Sequence, residues 1–291
     1  MYPARFDYAA PQSIEEAVEL LGRANGEAKV LAGGQSLVPM MKLRFASPEM
    51  LIDINNIPGL AYHSADPDGT YRIGALCRHV DLEKDENLAS QQPTMAAAAP
   101  LIADPIVRTR GTLVGSLCHS DPQGDWASVM SALGGSIVAQ GPNGRRSISC
   151  IDFVTGPFQN VLEFDELAVE AVVPAPVGTR AGGYLKLERR VGDFATVGVA
   201  VSIEFSGTQV TRAGIGLTGV GASTICAGEA ATMLVGQDLN ADNIDRVAVL
   251  AAEISQPRSD HRGSEAYKRH MVATFVTRIL SKLLPTTQKV A

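Results

Sequence analysis

The sequence predicts an α+β fold in two parts, and three observations predict it. A capped helical period opens the chain near Ser13, and a mostly helical stretch closes it from Ala241 to Leu284. Between them lie short apolar runs of strand length, at Lys29-Val30-Leu31, Met50-Leu51-Ile52-Asp53-Ile54 and Tyr71-Arg72-Ile73-Gly74. Two longer runs, Gly198 to Phe205 and Val210 to Leu217, read as paired antiparallel strands and follow the breaker triplet Pro174-Ala175-Pro176. A length of 291 residues suits two domains of ordinary size, with the boundary placed at that triplet: residues 1–176 and 177–291.

In chain order, Ser13 and Glu16 have the spacing of a capping box, and Ile14, Ala17, Val18 and Leu21 share one helical face. Gly22 or Gly26 is the expected stop. The strand at Lys29 runs straight into a small-residue loop, Ala32-Gly33-Gly34-Gln35-Ser36. Thr94 to Ile102 reads as a helix. Asp104 to Gln123, marked by Gly and Pro, reads as a long loop region, and long loops in compact domains are commonly functional. Ala127 to Leu133 reads as helix. Ser136 to Gln140 and Arg145 to Ser149 flank Gly141-Pro142-Asn143-Gly144, a hairpin signal. There is no internal repeat.

Composition removes several function classes. Hydrophobic residues make up 45% and charged residues 19%, which suits a packed core. A net charge of −6 argues against a broad nucleic-acid surface, because phosphates need a positive field. It leaves room for a small anion held by backbone N–H groups. The first twenty residues lack a secretory pattern, and no apolar run reaches the ~18–20 residues of a membrane span, so a cytoplasmic protein is expected. Cys77, Cys118, Cys150 and Cys226 form no CxxC pair and read as reduced thiols, leaving any iron–sulfur cluster to a partner. His63, His79, His119, His261 and His270 show no metal spacing. No GK dipeptide and no GxSxG elbow occur. The GxGxxG from Gly214 to Gly219 opens no helical period, so it reads as a strand and turn rather than a dinucleotide site.

Two loops carry the chemistry. Ala32 to Ser36 follows a strand, and Gly111-Thr112-Leu113-Val114-Gly115-Ser116 repeats the same mix of glycine and hydroxyl side chains. Glycine admits close approach of backbone to ligand, successive N–H groups converge on an anion, and hydroxyls add donors. A pyrophosphate between two such loops needs neither a Rossmann helix nor a lysine. Taken singly, each loop is equally well an ordinary tight turn.

Together with their surroundings, the loops resemble the FAD-binding medium subunit of the molybdenum hydroxylases, a family that includes aerobic carbon monoxide dehydrogenase and xanthine dehydrogenase. The resemblance runs through Phe6-Asp7-Tyr8 and Pro11, AGGQSLVPMMKLR at Ala32–Arg44, LIADPIVRTRGTLVGSLCHSDPQGD at Leu101–Asp125, YLKLERRVGDFATVGVA at Tyr184–Ala200 and IGLTGVG at Ile215–Gly221. It implies a vanillyl-alcohol-oxidase-type FAD domain of two α/β subdomains, then a smaller C-terminal α+β domain with antiparallel strands and helices. It implies that Ala32, Gly33, Gly34, Gln35 and Ser36 line the FAD pyrophosphate from one side and Thr112, Gly115 and Ser116 from the other. It implies Asp125 as acceptor for a cofactor hydroxyl, Leu101 and Ile102 as packing neighbours, and Lys186 and Phe194 near the isoalloxazine. Two positions depart from the family pattern. Val114 stands where relatives often have glycine, and is expected at negative φ with the other contacts kept; Gln35 stands where some relatives have histidine.

The resemblance further implies a large molybdenum-cofactor subunit and a small [2Fe–2S] subunit as partners, in a dimer of heterotrimers, with electrons passing through FAD to an external acceptor. Carbon monoxide, an N-heteroaromatic compound and an aldehyde are all open as substrates of such a complex. The alternatives are a self-sufficient flavoenzyme using Glu188, Arg189, Arg190 and Asp193, or an assembly module without catalysis.

Overall fold

The computed structural model describes residues 2–284. The last seven positions of the C-terminal domain as delimited above lie outside the described residues.

The chain opens on a small parallel sheet, ordered Asp7–Ala9, Met50–Asp53, Ala28–Leu31. The helix Ile14–Ala24 packs beside it, burying Ala17, Val18 and Leu21. Ser13 accepts from the Glu16 N–H at 3.1 Å, while the Glu16 carboxylate reaches back to the Gln12 N–H at 2.7 Å, one residue before the cap. Neither glycine ends this helix. Gly22 lies inside it, and Asn25 takes the left-handed cap at φ 46°, a conformation its short polar side chain tolerates.

A second sheet is antiparallel and five-stranded: His63–Ala65, Tyr71–Gly74, Leu167–Val173, Ser136–Gly141, Gly144–Ser149. The hairpin stands where the sequence placed it, closing at Gly141 opposite Gly144. Thr94 to Ile102 is helical as Pro93–Ala98 followed by a 3-10 turn, Ala99–Leu101.

The span from Asp104 to Gln123 is not one long loop. Asp104 caps a helix, Pro105–Arg108, and Thr112 caps a second, Leu113–His119. Both are too short, and the second too rich in Gly, Ser and Cys, to display a helical period. The helix read from Ala127 begins at Asp125 and ends at Ala132, with every residue buried. A helix covered on all sides shows no apolar stripe, which is why its start is hard to see in the sequence.

The C-terminal sheet runs Thr179–Leu187, Val197–Ser206, Gln209–Thr218, Ile225–Cys226, all antiparallel. The stretch from Ala241 to Leu284 is two helices, Ala241–Ile254 and Glu265–Lys282, separated by residues 255–264. They close a second core with Val199, Val201, Ile215 and Leu217. Gly214 and Gly216, from the GxGxxG, lie within a strand. A Cβ on either would come 2.0 Å from a main-chain oxygen of the Asp125–Ala132 helix, Ala132 O or Ser128 O. Their role is close packing of helix on sheet.

The strand Thr179–Leu187 works on two faces. Leu185 and Leu187 join the C-terminal core, while Arg180, Tyr184 and Lys186 reach toward groups from the first part of the chain. No described helix is long and apolar enough to cross a membrane.

Candidate functional site

The two small-residue loops are 78 residues apart in sequence and meet in space. An ideal Cβ on Gly33 would lie 2.3 Å from Arg110 O and 2.8 Å from Gly111 Cα, so only glycine lets the loops touch. Gly34 sits at φ +72°, where a side chain is strained. Among the described residues, no group accepts from the N–H of Gly33, Gly34 or Gln35. Free backbone donors beside a glycine contact suit an anionic, phosphate-bearing cofactor. Ala32 differs in role: its carbonyl is held at 2.8 Å by Asn55 Nδ2. Ser36 precedes the helix Leu37–Lys42 and makes no side-chain cap.

In the second loop, Thr112 Oγ1 accepts from the Gly115 N–H at 3.1 Å. Val114 lies in the first turn of the Leu113–His119 helix, 2% exposed and absent from the positive-φ residues, so it carries no strain. Ser116 faces Gly124, whose ideal Cβ would be 3.8 Å from Ser116 Oγ. This brings the loop alongside Asp125.

Asp125 begins a cluster built across the two halves of the chain. Its Oδ1 accepts from Tyr184 OH, and its Oδ2 accepts from Lys186 Nζ at 3.1 Å. Lys186 Nζ also donates to Leu101 O at 2.9 Å and lies 3.5 Å from Glu188 Oε2. Its side chain is 1% exposed. Burial pushes the Asp125 carboxyl above its usual range, against the pull of Lys186 and Tyr184. Leu101, Asp125 and Lys186 therefore stand together. Ile102 is buried beside them in sequence, its carbonyl taken by Arg108. Phe194 stands apart, 49% exposed, with Arg262 donating to its carbonyl. Arg189 and Arg190 are exposed, and Asp193 pairs with Arg189 and Arg262.

Residues without any sequence signal hold this arrangement. Arg78 donates to Arg110 O and to Asn55 Oδ1. The His79 main-chain N–H donates to Gly111 O, and its buried ring Nδ1 accepts from Trp126 Nε1 at 3.0 Å. Burial and two nearby guanidiniums lower the His79 pKa to about 4, so the ring is neutral.

Comparison with known proteins agrees with this layout. A family model described as "FAD binding domain in molybdopterin dehydrogenase" matches residues 4–176, and one described as "CO dehydrogenase flavoprotein C-terminal domain" matches residues 183–283. The chain is 41% identical over 281 residues to the carbon monoxide dehydrogenase medium chain of Hydrogenophaga pseudoflava, covering 97% of this chain and 98% of that one. It is 34% identical over 283 residues to the glyceraldehyde dehydrogenase medium chain of Sulfolobus acidocaldarius, covering 97% of this chain and 100% of that one. A solved structure of the Hydrogenophaga pseudoflava carbon monoxide dehydrogenase, lacking the Mo-pyranopterin moiety of its molybdenum cofactor, superposes with a TM-score of 0.91 at 42% identity, covering 96% and 97% of the two chains. Two glycine loops meeting over free N–H donors, across a chain matched along nearly its whole length, place this protein in the family of FAD-binding medium subunits of the molybdenum hydroxylases.

Proposed function

We propose that this chain carries electrons between a [2Fe–2S] subunit and an external acceptor, within a complex whose large molybdenum-cofactor subunit oxidises the substrate. A dimer of heterotrimers in the cytoplasm is the assembly this reading expects, and the domain boundary belongs near Pro176. The observation that carries it is the junction of the two loops, with the donors of Gly33, Gly34 and Gln35 meeting no acceptor among the described residues.

FAD, when bound, supplies chemistry that takes up single electrons and releases pairs. The chain's own residues bind and orient it. The first loop's N–H groups would hold the pyrophosphate, and Thr112, which caps its helix, would line it with Gly115 and Ser116. Asp125, Tyr184 and the Leu101 carbonyl fix the Lys186 ammonium, a cation that favours electron density on a nearby ring. Buried Ile102 would pack near the cofactor, and Phe194 offers an exposed aromatic face. The buried titratable cluster at Lys186 is closed on Asp125, Leu101 O and Glu188, and this reading assigns substrate oxidation to the partner. The relatives are named for carbon monoxide and for glyceraldehyde, a difference that supports a substrate chosen by the large subunit.

The test compares the chain alone with the chain in its native complex. Alone, it retains FAD that acid precipitation releases, and no organic substrate bleaches the flavin. In the complex, substrate bleaches it. Gly33→Val keeps its far-ultraviolet circular dichroism but loses FAD in both settings. Substrate-driven bleaching by the isolated chain would transfer the catalytic role to this subunit.

A further inference from the structure

The contact between the two loops is secured by an element that neither loop contains. Asn55 follows the strand Met50–Asp53, and its amide is locked in one orientation. Nδ2 donates to Ala32 O at 2.8 Å and to Asp53 Oδ1 at 2.5 Å, while Oδ1 accepts from Arg78 Nη2 at 2.5 Å. A flipped amide would point oxygen at two acceptors. Asp53 is itself held, taking Tyr8 OH at 2.7 Å and the Asn55 N–H at 3.0 Å. On the far side, Arg78 Nη1 donates to Arg110 O at 2.6 Å, the same carbonyl that a Cβ on Gly33 would strike. The path is continuous: Ala32 carbonyl, Asn55 amide, Arg78 guanidinium, Arg110 carbonyl.

We propose that Asn55 and Arg78 are positioning residues for the cofactor, forming a two-side-chain clamp that sets the spacing of the FAD-holding loops; this rests on the assignment of those loops to FAD. A backbone N–H binds phosphate over a narrow range of distance and angle, so the gap between two sets of donors decides affinity. Gly33 permits close approach and the clamp enforces it. The guanidinium is required because its two nitrogens serve two different acceptors from one rigid plane, and an ammonium offers a single point. Arg78 and its neighbour Arg110 also place positive charge at the junction, where a pyrophosphate would otherwise meet a chain of net charge −6.

The experiment measures FAD dissociation constants by titrating full-length apo-chain, with the melting temperature of the same apo samples. The variants are Asn55→Ala, Arg78→Met, the double variant, Arg78→Lys and the control Gly33→Val. Each single variant is expected to weaken FAD tenfold or more, with apo melting little changed. The double variant should be no weaker than the worse single, because either change opens the same clamp. Arg78→Lys, which retains charge and folds most safely, should stay weak. Full rescue by Arg78→Lys would reduce the residue to a point charge and overturn the clamp. Additive losses, or losses matched by a proportionate fall in apo melting temperature, would also overturn it, as would near-parental affinity in both single variants while Gly33→Val binds no FAD. If Gly33→Val binds FAD normally, the loop assignment falls instead.

Discussion

Arg180 and Lys186 lie on the same face of the same strand, both buried, and their surroundings are mirror images in charge. At Arg180, one carboxylate serves two cations: Glu204 Oε1 takes Arg180 Nη2 at 2.7 Å and lies 3.6 Å from Arg212 Nη1, and Oε2 takes the Val177 N–H at 2.8 Å. Arg180 spends its other donors on Gln92 Oε1 and Pro174 O. At Lys186, one cation serves two carboxylates, Asp125 and Glu188, and Glu188 Oε2 has no hydrogen-bond partner among the described residues. The first is a closed latch joining the C-terminal sheet to what precedes it. The second carries surplus buried acid and an unanswered oxygen, a cost that stability alone does not explain and that sites whose charge changes in function commonly bear.

The sharpest break of this contrast is Glu204→Gln. It leaves Arg180 buried without a full counter-charge, and urea unfolding should show a loss of about 3–5 kcal/mol. A loss under about 1 kcal/mol would mean the latch does not hold the halves together. A somewhat smaller effect is expected at His79, a buried group with no counter-ion among the described residues. Its folded pKa of about 4 lies below the ordinary histidine value of 6.5. The ring's stabilising contribution is therefore present above pH 6.5 and is lost as pH falls toward 4, about 3 kcal/mol in all. His79→Gln should flatten the stability profile across that window. The smallest effect belongs to the cluster. Asp125→Asn keeps the acceptor for Tyr184 or Lys186 and leaves Lys186 its second carboxylate, so about 1 kcal/mol is expected. Its sign with pH is the reverse of the histidine's. Burial raises the folded Asp125 pKa, so the native aspartate loses stability as pH rises from 3.8 through that value. The deficit of Asp125→Asn should shrink over the same rise, and a deficit that grows would show that the carboxylate is net stabilised.

The sheets were readable where strands alternate or run apolar between breakers, as at Tyr71–Gly74 and the 136–149 hairpin. The helices Pro105–Arg108 and Leu113–His119 were not, because four or seven residues cannot display a period. Glycine made both loops visible, since a bare backbone has few other uses beside a strand or before a helix. Family likeness placed Leu101 and Lys186 near the cofactor and gave Asp125 a cofactor hydroxyl to accept from. That the three meet one another, with both Asp125 oxygens taken by Tyr184 and Lys186, was not legible, because no local pattern links residues 85 apart. Asn55 and Arg78 were silent for a related reason: each acts on a distant main-chain oxygen, a contact that leaves no mark on its own segment. Val114 takes negative φ as expected, but through a helix rather than an adjusted loop.

The bare strand under the Asp125–Ala132 helix bears on how such subunits can be recombined. Backbone meets backbone at Gly214 and Gly216, with no side chain between to absorb a mismatch. A chimaera joined at residue 176 would bring a helix from one parent against a strand from another, and any register error of a fraction of an ångström would appear there first. Exchanging the helix and that strand as a matched pair is the graft that preserves the seam.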